Sequence, residues 1–533
     1  MRYALAILAF ALTSASAAEI DNATINRITE EALNHSELPQ TAEYLTDRIG
    51  GRMTNSPQMR AAEQWTQQKF LGWGLKNVHR EGFDFGRGWS IERSEARMLT
   101  PRVLPMRAIP VAWTPSTNGT ISAPVIVAPL RRERDFDKWK GKLKGMIVLV
   151  SEPGDGSEPD QAAFHRRTDE ELGKLDTYEQ PTRSETEIAR GLKRSAFTAK
   201  LDAFLAGEGA LAWLRQSNRD GGLLHGEGYS YRVGQTPALP GIELAAEDYR
   251  RLARLAKTDA APTVELTSTV RYYDTDHNAY NIIAEIPGRD PKAGYVMAGA
   301  HLDSWVAADG ANDNGAGSAV VMEIARVLTK LGVKPRRTIR FVLWAGEEQG
   351  LLGSMAYVEQ HLAKRPPVTD PELAKLSPYN TWNTRWPITP LPGGAELAAY
   401  FNLDNGSGKI RGIYTEGNSA VVPIFREWLG PFASMGAAHV VARPTGGTDH
   451  VLMQSVGIPA FQFVQDPLDY GSRVHHTSVD TYDHMKIADL KQATIVMASF
   501  LWHAAERADP LPRMPLATKP AETNPFAYEE DDD

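Results

Sequence analysis

The sequence predicts an α/β protein: a three-layer αβα domain on a mostly parallel mixed sheet, with a second, β-rich block inserted into it. Three observations predict this. Between about residues 270 and 505, short apolar runs alternate with helical stretches, the pattern of strands joined by crossover helices. From Pro101 the texture changes, and Pro101, Pro105, Pro110, Pro115 and Pro124 punctuate short β-rich pieces until about Glu265. His301, Glu347-Glu348 and Asp404 stand where apolar strands run out, and open α/β sheets place their sites beyond the carboxyl ends of their strands.

At 533 residues the chain is long enough for roughly two to four domains. Hydrophobic residues at 42% and charged residues at 23% are ordinary for a globular protein. A net charge of −8 without a dense Lys/Arg block argues against nucleic acid as a partner. There is no cysteine, which excludes disulfides, thiolate metal sites, cysteine nucleophiles and an anchor through an N-terminal Cys.

Taken in order, residues 1–17 read as a signal peptide. Arg2 gives a positive start, Ala4 to Leu12 an apolar run too short to span a bilayer, and Ala15-Ser16-Ala17 a cleavage site. A periplasmic or secreted protein without a membrane anchor is expected; a buried first helix is the alternative. Ala62, Trp65, Lys69, Phe70 and Trp73 lie at helical spacing, and Gly74 ends that helix. Met146 to Val150 reads as a buried strand, 152–195 as an exposed excursion, Ala203 to Leu214 as a helix, and Pro237 to Ile242 as a returning strand. Tyr295 to Ala300, Thr338 to Trp344, Leu397 to Leu403 and Pro459 to Val464 read as strands, and Ala316 to Leu331 as an amphipathic helix. The boundaries expected are 18–105 with 266–508 for the catalytic domain, 106–265 for the insertion, and 509–533 for a disordered acidic tail ending Glu529 to Asp533.

His301, Asp313, Glu348, Asp404 and His476 are residues of metal-ligand type, enough to hold two ions if one carboxylate bridges. Each has a plainer alternative when taken alone. His301-Leu302-Asp303 is open to a surface ion pair, but on a strand 301 and 303 share a side, and a carboxylate there fixes the tautomer of a ligand histidine. Asp313 precedes a glycine-rich helix start and could cap it. Glu347-Glu348 follows an apolar strand; two buried adjacent acids repel unless a cation relieves one, which leaves the other for general-base work. Asp404-Asn405-Gly406 also fits a turn. In His475-His476-Thr477, spacing does not decide which histidine binds, and His450 is a further pocket candidate.

Read together, His-x-Asp, Asp-Asn-Gly-x-Gly, Glu-Glu, Asp and His-Thr-x-x-Asp-Thr resemble, in that order, the co-catalytic zinc peptidases of the aminopeptidase and glutamate carboxypeptidase family. The form His475-His476-Thr477 and the domain order lean to its carboxypeptidase Q-like branch. Gly50 to Pro57 is similar to that family's N-terminal loop, and the β-rich block resembles a protease-associated domain. The resemblance implies two Zn2+ per chain: His301 and Asp404 on one, Glu348 and His476 on the other, Asp313 bridging. It further implies Glu347 as the general base of metal-assisted peptide hydrolysis, Asp303 as the partner of His301, a cis Asp313-Asn314 peptide, and short peptides as substrates. His475 stands where the family pattern has an aromatic residue. The alternatives are another amide hydrolase or a glutaminyl-cyclase-like enzyme on the same fold, or a receptor-like ectodomain without catalysis, against which the intact ligand set speaks. An aminopeptidase needs an acid for the free amine, for which Asp449 is available; a carboxypeptidase needs a cation, for which Arg443 or Arg473 is available.

Overall fold

The structure is a computed structural model describing residues 20–157, 161–176, 185–259, 261–516 and 518–519, so the expected signal peptide and the acids at 529–533 lie outside the described residues. Its first sheet has eight strands: β1 (Lys76–Asp84), β2 (Asn278–Ile286), β3 (Tyr295–His301), β4 (Thr338–Trp344), β5 (Leu397–Asn402), β6 (Ile410–Tyr414), β7 (His439–Val441) and β8 (Ala460–Gln465). They lie in the order β1-β2-β4-β3-β5-β8-β6-β7. The central run β4-β3-β5-β8 is parallel, while β1-β2, β2-β4 and β6-β8 pair antiparallel.

Side chains that alternate along β3 and β4 build two cores. Val296, Ala298 and Ala300 join Ile339, Phe341 and Leu343 on one face, whereas Tyr295, Met297, Val342 and Trp344 face the other. A parallel strand covered on both faces must be apolar throughout, and all of β3 is buried. The first face is covered by α1 (Asn22–Asn34), α2 (Pro57–Trp73), α3 (Ala316–Lys330) and α4 (Ile487–Glu506). Ser56 caps α2 by accepting from Met59 N, and Gly74 at φ +93° ends it in the left-handed conformation that glycine adopts without a Cβ penalty. The second face packs under short helices at Leu352–Tyr357, Pro378–Trp382 and His450–Gln454.

A second eight-stranded sheet is drawn wholly from residues between β1 and β2, and its longest pairing joins Gly88–Met98 to Thr263–Tyr273. The expected boundaries at 105/106 and 265/266 therefore fall inside it: residues 88–98 and 266–273, expected in the other domain, pair within this sheet, and 263–265 continue the same strand. The helix expected over 203–214 is instead Glu185–Gly207 followed by the strand Ala212–Gln216, because Gly209 at φ +77° turns the chain between them. The stretch 152–195 is not simply exposed. Its helix Asp169–Leu175 buries Leu172 and Leu175 against Tyr414, Val441 and Val464 of the first sheet, while Arg166 pairs with Asp466 at 3.1 Å and Asp489 at 2.7 Å. The expected tail also starts too early at 509, since Leu511 is buried and Arg513 donates to Leu397 O at 2.5 Å.

Candidate metal centre

Parallel pairing of β3 with both β4 and β5 brings three strand ends to one edge, with His301 opposite Trp344 and Gly299 opposite Asn402. His301 ends β3, Glu347 and Glu348 follow β4 by three and four residues, and Asp404 follows β5 by two. Register thus converges residues that are distant in sequence. Asp313 arrives from the loop before α3. The N-cap of that helix is Gly315, and Asn314 Oδ1 accepts from Gly317 N in its first turn at 2.9 Å, while the Asp313 carboxylate faces the histidines instead. Gly317 has to be glycine-sized: a Cβ there would lie 2.3 Å from Leu403 O. The Asp313-Asn314 peptide is cis.

The Asp313 carboxylate divides between two clusters. Its Oδ1 lies 3.2 Å from His301 Nε2, which is also 3.2 Å from Asp404 Oδ1. Its Oδ2 lies 3.2 Å from His476 Nε2, which is 3.0 Å from Glu348 Oε2. Glu347 Oε2 stands 4.0 Å from His301 Nε2. His301 Nδ1 meets the Asp303 backbone carbonyl at 3.0 Å, with the Asp303 carboxylate at 3.7 Å. That carboxylate accepts from Glu347 N and Glu348 N at 3.3 Å each and from Thr54 Oγ1 at 3.1 Å, so it also fixes the Glu-Glu turn. His301, Asp303, Asp313, Glu347, Glu348, Asp404 and His476 thus stand together here.

Three further residues carry the arrangement. Asp480, quoted in the sequence pattern without a role, accepts from Asn312 N at 2.6 Å and Asp313 N at 3.0 Å. Arg52 is fully buried and donates to the carbonyls of Leu302, Leu45, Gly50, Asp309 and Gly310, tying the Gly50–Pro57 loop to both metal-side loops. Burial pulls its pKa down to about 10, with Asp480 and Asp303 opposing. Glu227, from the inserted block (the excursion between β1 and β2 as a whole), lies 2.8 Å from His476 Nδ1. Sequence reasoning missed it because an isolated Glu between Gly226 and Gly228 has no pattern of its own. Of the two further histidines, His475 stacks on His476 with centroids 3.8 Å apart and lies 3.5 Å from Asp313 Oδ2. His450 is fully buried and turned to Glu416 at 3.2 Å.

The electrostatics show a centre short of positive charge. Burial raises Glu347 well above the usual carboxylate range, with Asp404, Asp449 and Glu348 adding to it against His301. Burial, then Asp313, pushes Glu348 up to about 8. Burial opposes ionisation of Asp313 too, but His301, His476 and His475 outweigh it and hold this carboxyl well below its usual value. Burial opposes the imidazolium of His301, yet Asp404 and Glu347 keep it well above the usual histidine range. Asp313 Oδ2 and Glu348 Oε1 are buried without a hydrogen bond. Orphaned buried carboxylate oxygens beside imidazole nitrogens, with no sulfur donor, fit a divalent cation of borderline hardness, and zinc suits this donor set. His301, Asp313 and Glu348 each offer an atom within 4.8 Å of the others, as do Asp313, His475 and His476. A cleft lined by Trp305, Gly310, Asp313, Glu348 and His476 opens onto this cluster.

Residues 281–501 match Peptidase family M28. The chain is 28% identical to carboxypeptidase Q of Bos taurus over 476 residues, covering 88% of this chain and 85% of the relative. It is 27% identical to carboxypeptidase Q of Homo sapiens over 507 residues, covering 94% and 91%. Among solved structures, it resembles a Peptidase M28 precursor from Shewanella amazonensis SB2B with a TM-score of 0.64 and 24% identity, covering 92% of this chain and 98% of that one. BSAP, a zinc aminopeptidase from Bacillus subtilis, is similar with a TM-score of 0.55 and 20% identity, covering 90% and 97%. These structural likenesses speak to the fold: a mixed α/β architecture of large sheets flanked by helices.

Proposed function

We propose that this chain, whose residues 281–501 belong to Peptidase family M28, is an exported zinc-dependent exopeptidase that hydrolyses short peptides at a two-zinc centre. One observation carries this: the two oxygens of Asp313 are divided between His301 and His476, the pattern of a bridging carboxylate. His301 and Asp404 would hold one ion, Glu348 and His476 the other. Zinc bound there would polarise the scissile carbonyl and acidify a water. Glu347 is the acid left without a ligand role. Its Oε2 stands 4.0 Å from His301 Nε2, beside the centre, where it would take a proton from water and return it to the departing amine. Asp303 holds His301 and the Glu347-Glu348 turn in register.

Charge supports one reading of which peptide end is bound. Asp449, the acid available for a free amine, is fully buried and bonded to Ser354 Oγ at 2.5 Å. Arg219 of the excursion stands beside His475, donating to its carbonyl at 3.3 Å, and is a cation within reach of the centre that neither Arg443 nor Arg473 anticipated. This favours a free carboxylate, hence carboxypeptidase or dipeptidase action. No helix of the described residues is long and apolar enough to cross a membrane. Export rests on the N-terminal sequence and is tested by fractionating expressing cells. A peptide panel blocked at either end tests the activity: cleavage that survives N-terminal acetylation but not C-terminal amidation is expected, and the reverse preference overturns the carboxypeptidase assignment.

A further inference from the structure

The excursion between β1 and β2 sends one loop, residues 217–232, against the His476 half of the centre. Glu227 Oε1 lies 2.8 Å from His476 Nδ1. The loop is fastened on both sides of that contact. Leu224 N donates to Ser478 Oγ at 3.2 Å, Ser478 N donates back to Leu224 O at 2.8 Å, and Arg219 donates to His475 O at 3.3 Å. Tyr229 meets the edge of Trp305 at 5.6 Å, and Trp305 meets His476 at 6.2 Å. At its other end the loop is held by Arg215, which donates to Glu227 O at 2.9 Å, and by Arg232, which donates to the carbonyls of Ala374 and Leu376.

The two ligand histidines are therefore oriented by different means. His301 ends a buried strand and finds the acceptor for its Nδ1 two residues later, at Asp303 O. His476 follows an irregular turn, has φ +61°, and finds its acceptor 249 residues away in sequence, at Glu227. An imidazole whose Nδ1–H is accepted by a carboxylate is fixed as the tautomer with a free Nε2 lone pair, and Nε2 is the atom of His476 that faces Asp313 and Glu348.

We propose that Glu227 is a positioning residue of the metal centre: it orients His476 through Nδ1, so that the excursion completes one of the two ion sites. The proposal rests on the two-zinc function above. An exposed ion pair would contribute little at this position, but Glu227 is only 27% exposed on its side chain and His476 23%.

The test is Zn2+ binding by competition with a chelator of known affinity, on the full chain and its E227A and E227Q variants, together with melting of the zinc-free proteins. In E227A one ion should bind about 10- to 100-fold more weakly while the other is unchanged, as expected when such a partner is lost. E227Q should recover part of the loss, because its amide oxygen still accepts from Nδ1–H, and the zinc-free melting temperatures should match. Both ions bound as in the wild type, or both weakened equally, would overturn the proposal. A wild type that binds two ions with E227A unchanged removes this inference alone; a wild type that binds none removes the two-zinc function with it.

Discussion

The two ends of the metal cluster are built by different rules. The His301 end is made of strand termini: His301, Glu347 and Asp404 sit beyond three adjacent strands whose register is fixed by hydrogen bonds, His301 is 1% exposed on its side chain, and only Glu348 reaches from these termini to the other end. The His476 end is made of loops: His476 takes a left-handed backbone conformation that non-glycine residues rarely adopt, and its imidazole is braced from the excursion. Elements with extensive backbone pairing hold a ligand precisely at small extra cost, whereas a loop needs a partner from elsewhere. The first end should bind its ion in a preformed cradle; the second should depend on the packing of the excursion.

Several variants break or sharpen that contrast. The largest effect is expected from E347Q, which should lower kcat about 10²- to 10⁴-fold, the range of a lost general acid-base group, with both zinc ions retained at wild-type affinity. Loss of zinc in this variant would make Glu347 a ligand rather than the base. R52M should follow. It removes a buried cation that five carbonyls surround, two of them in the Asp309-Gly310 loop and one beside His301. Leaving buried carbonyls without their donor costs about 1–3 kcal/mol each, read as a fall in thermal stability. D480A leaves Asn312 N and Asp313 N without their acceptor. Because Asp313 serves both ends, both ions should weaken, by about 10-fold or more in chelator competition, in contrast to the one-sided loss expected of E227A.

The effect expected to matter least for zinc binding and turnover lies away from the site and separates acid damage to the scaffold from acid damage to the centre. Burial depresses His503, stacked on Trp428 with centroids 5.5 Å apart, to about 4 from its usual 6.5, with Asp21 opposing. A group whose folded pKa is depressed binds protons better when unfolded. Its stabilising contribution is therefore complete above about 6.5 and is lost as pH falls toward 4. The wild type should lose on the order of 3 kcal/mol across that window through this group, and H503Q should not, as followed by thermal melting at a series of pH values. Equal acid sensitivity of the two proteins would place the loss elsewhere.

Much of the His301 end was legible in the sequence because its information is local. Tyr295 to Ala300 and Thr338 to Trp344 read as buried strands, and a polar residue just beyond a buried strand must be paired or functional. The helix Ala316–Lys330 was legible for the same reason: its apolar periodicity is strong and its start is punctuated by glycine. The excursion was read less well. Its helix Glu185–Gly207 carries mixed charges, of which Lys200 pairs with Glu133 outside the helix, and Asp169–Leu175 is held by apolar contacts to strands more than 200 residues later. Glu227 belongs with these, since its role exists only after two segments far apart in sequence have docked. Arg52 is intermediate: the Gly50–Pro57 loop stood out, but five carbonyl acceptors drawn from three segments leave no trace in sequence.

The central claim, that one aspartate joins two ions, is tested most directly by a crystal structure of the zinc-loaded protein with the metals located by their anomalous scattering. Two peaks are expected, one against each carboxylate oxygen of Asp313, the first shared with His301 and Asp404 and the second with Glu348 and His476. A single peak, or two that leave Asp313 uncoordinated, would contradict it.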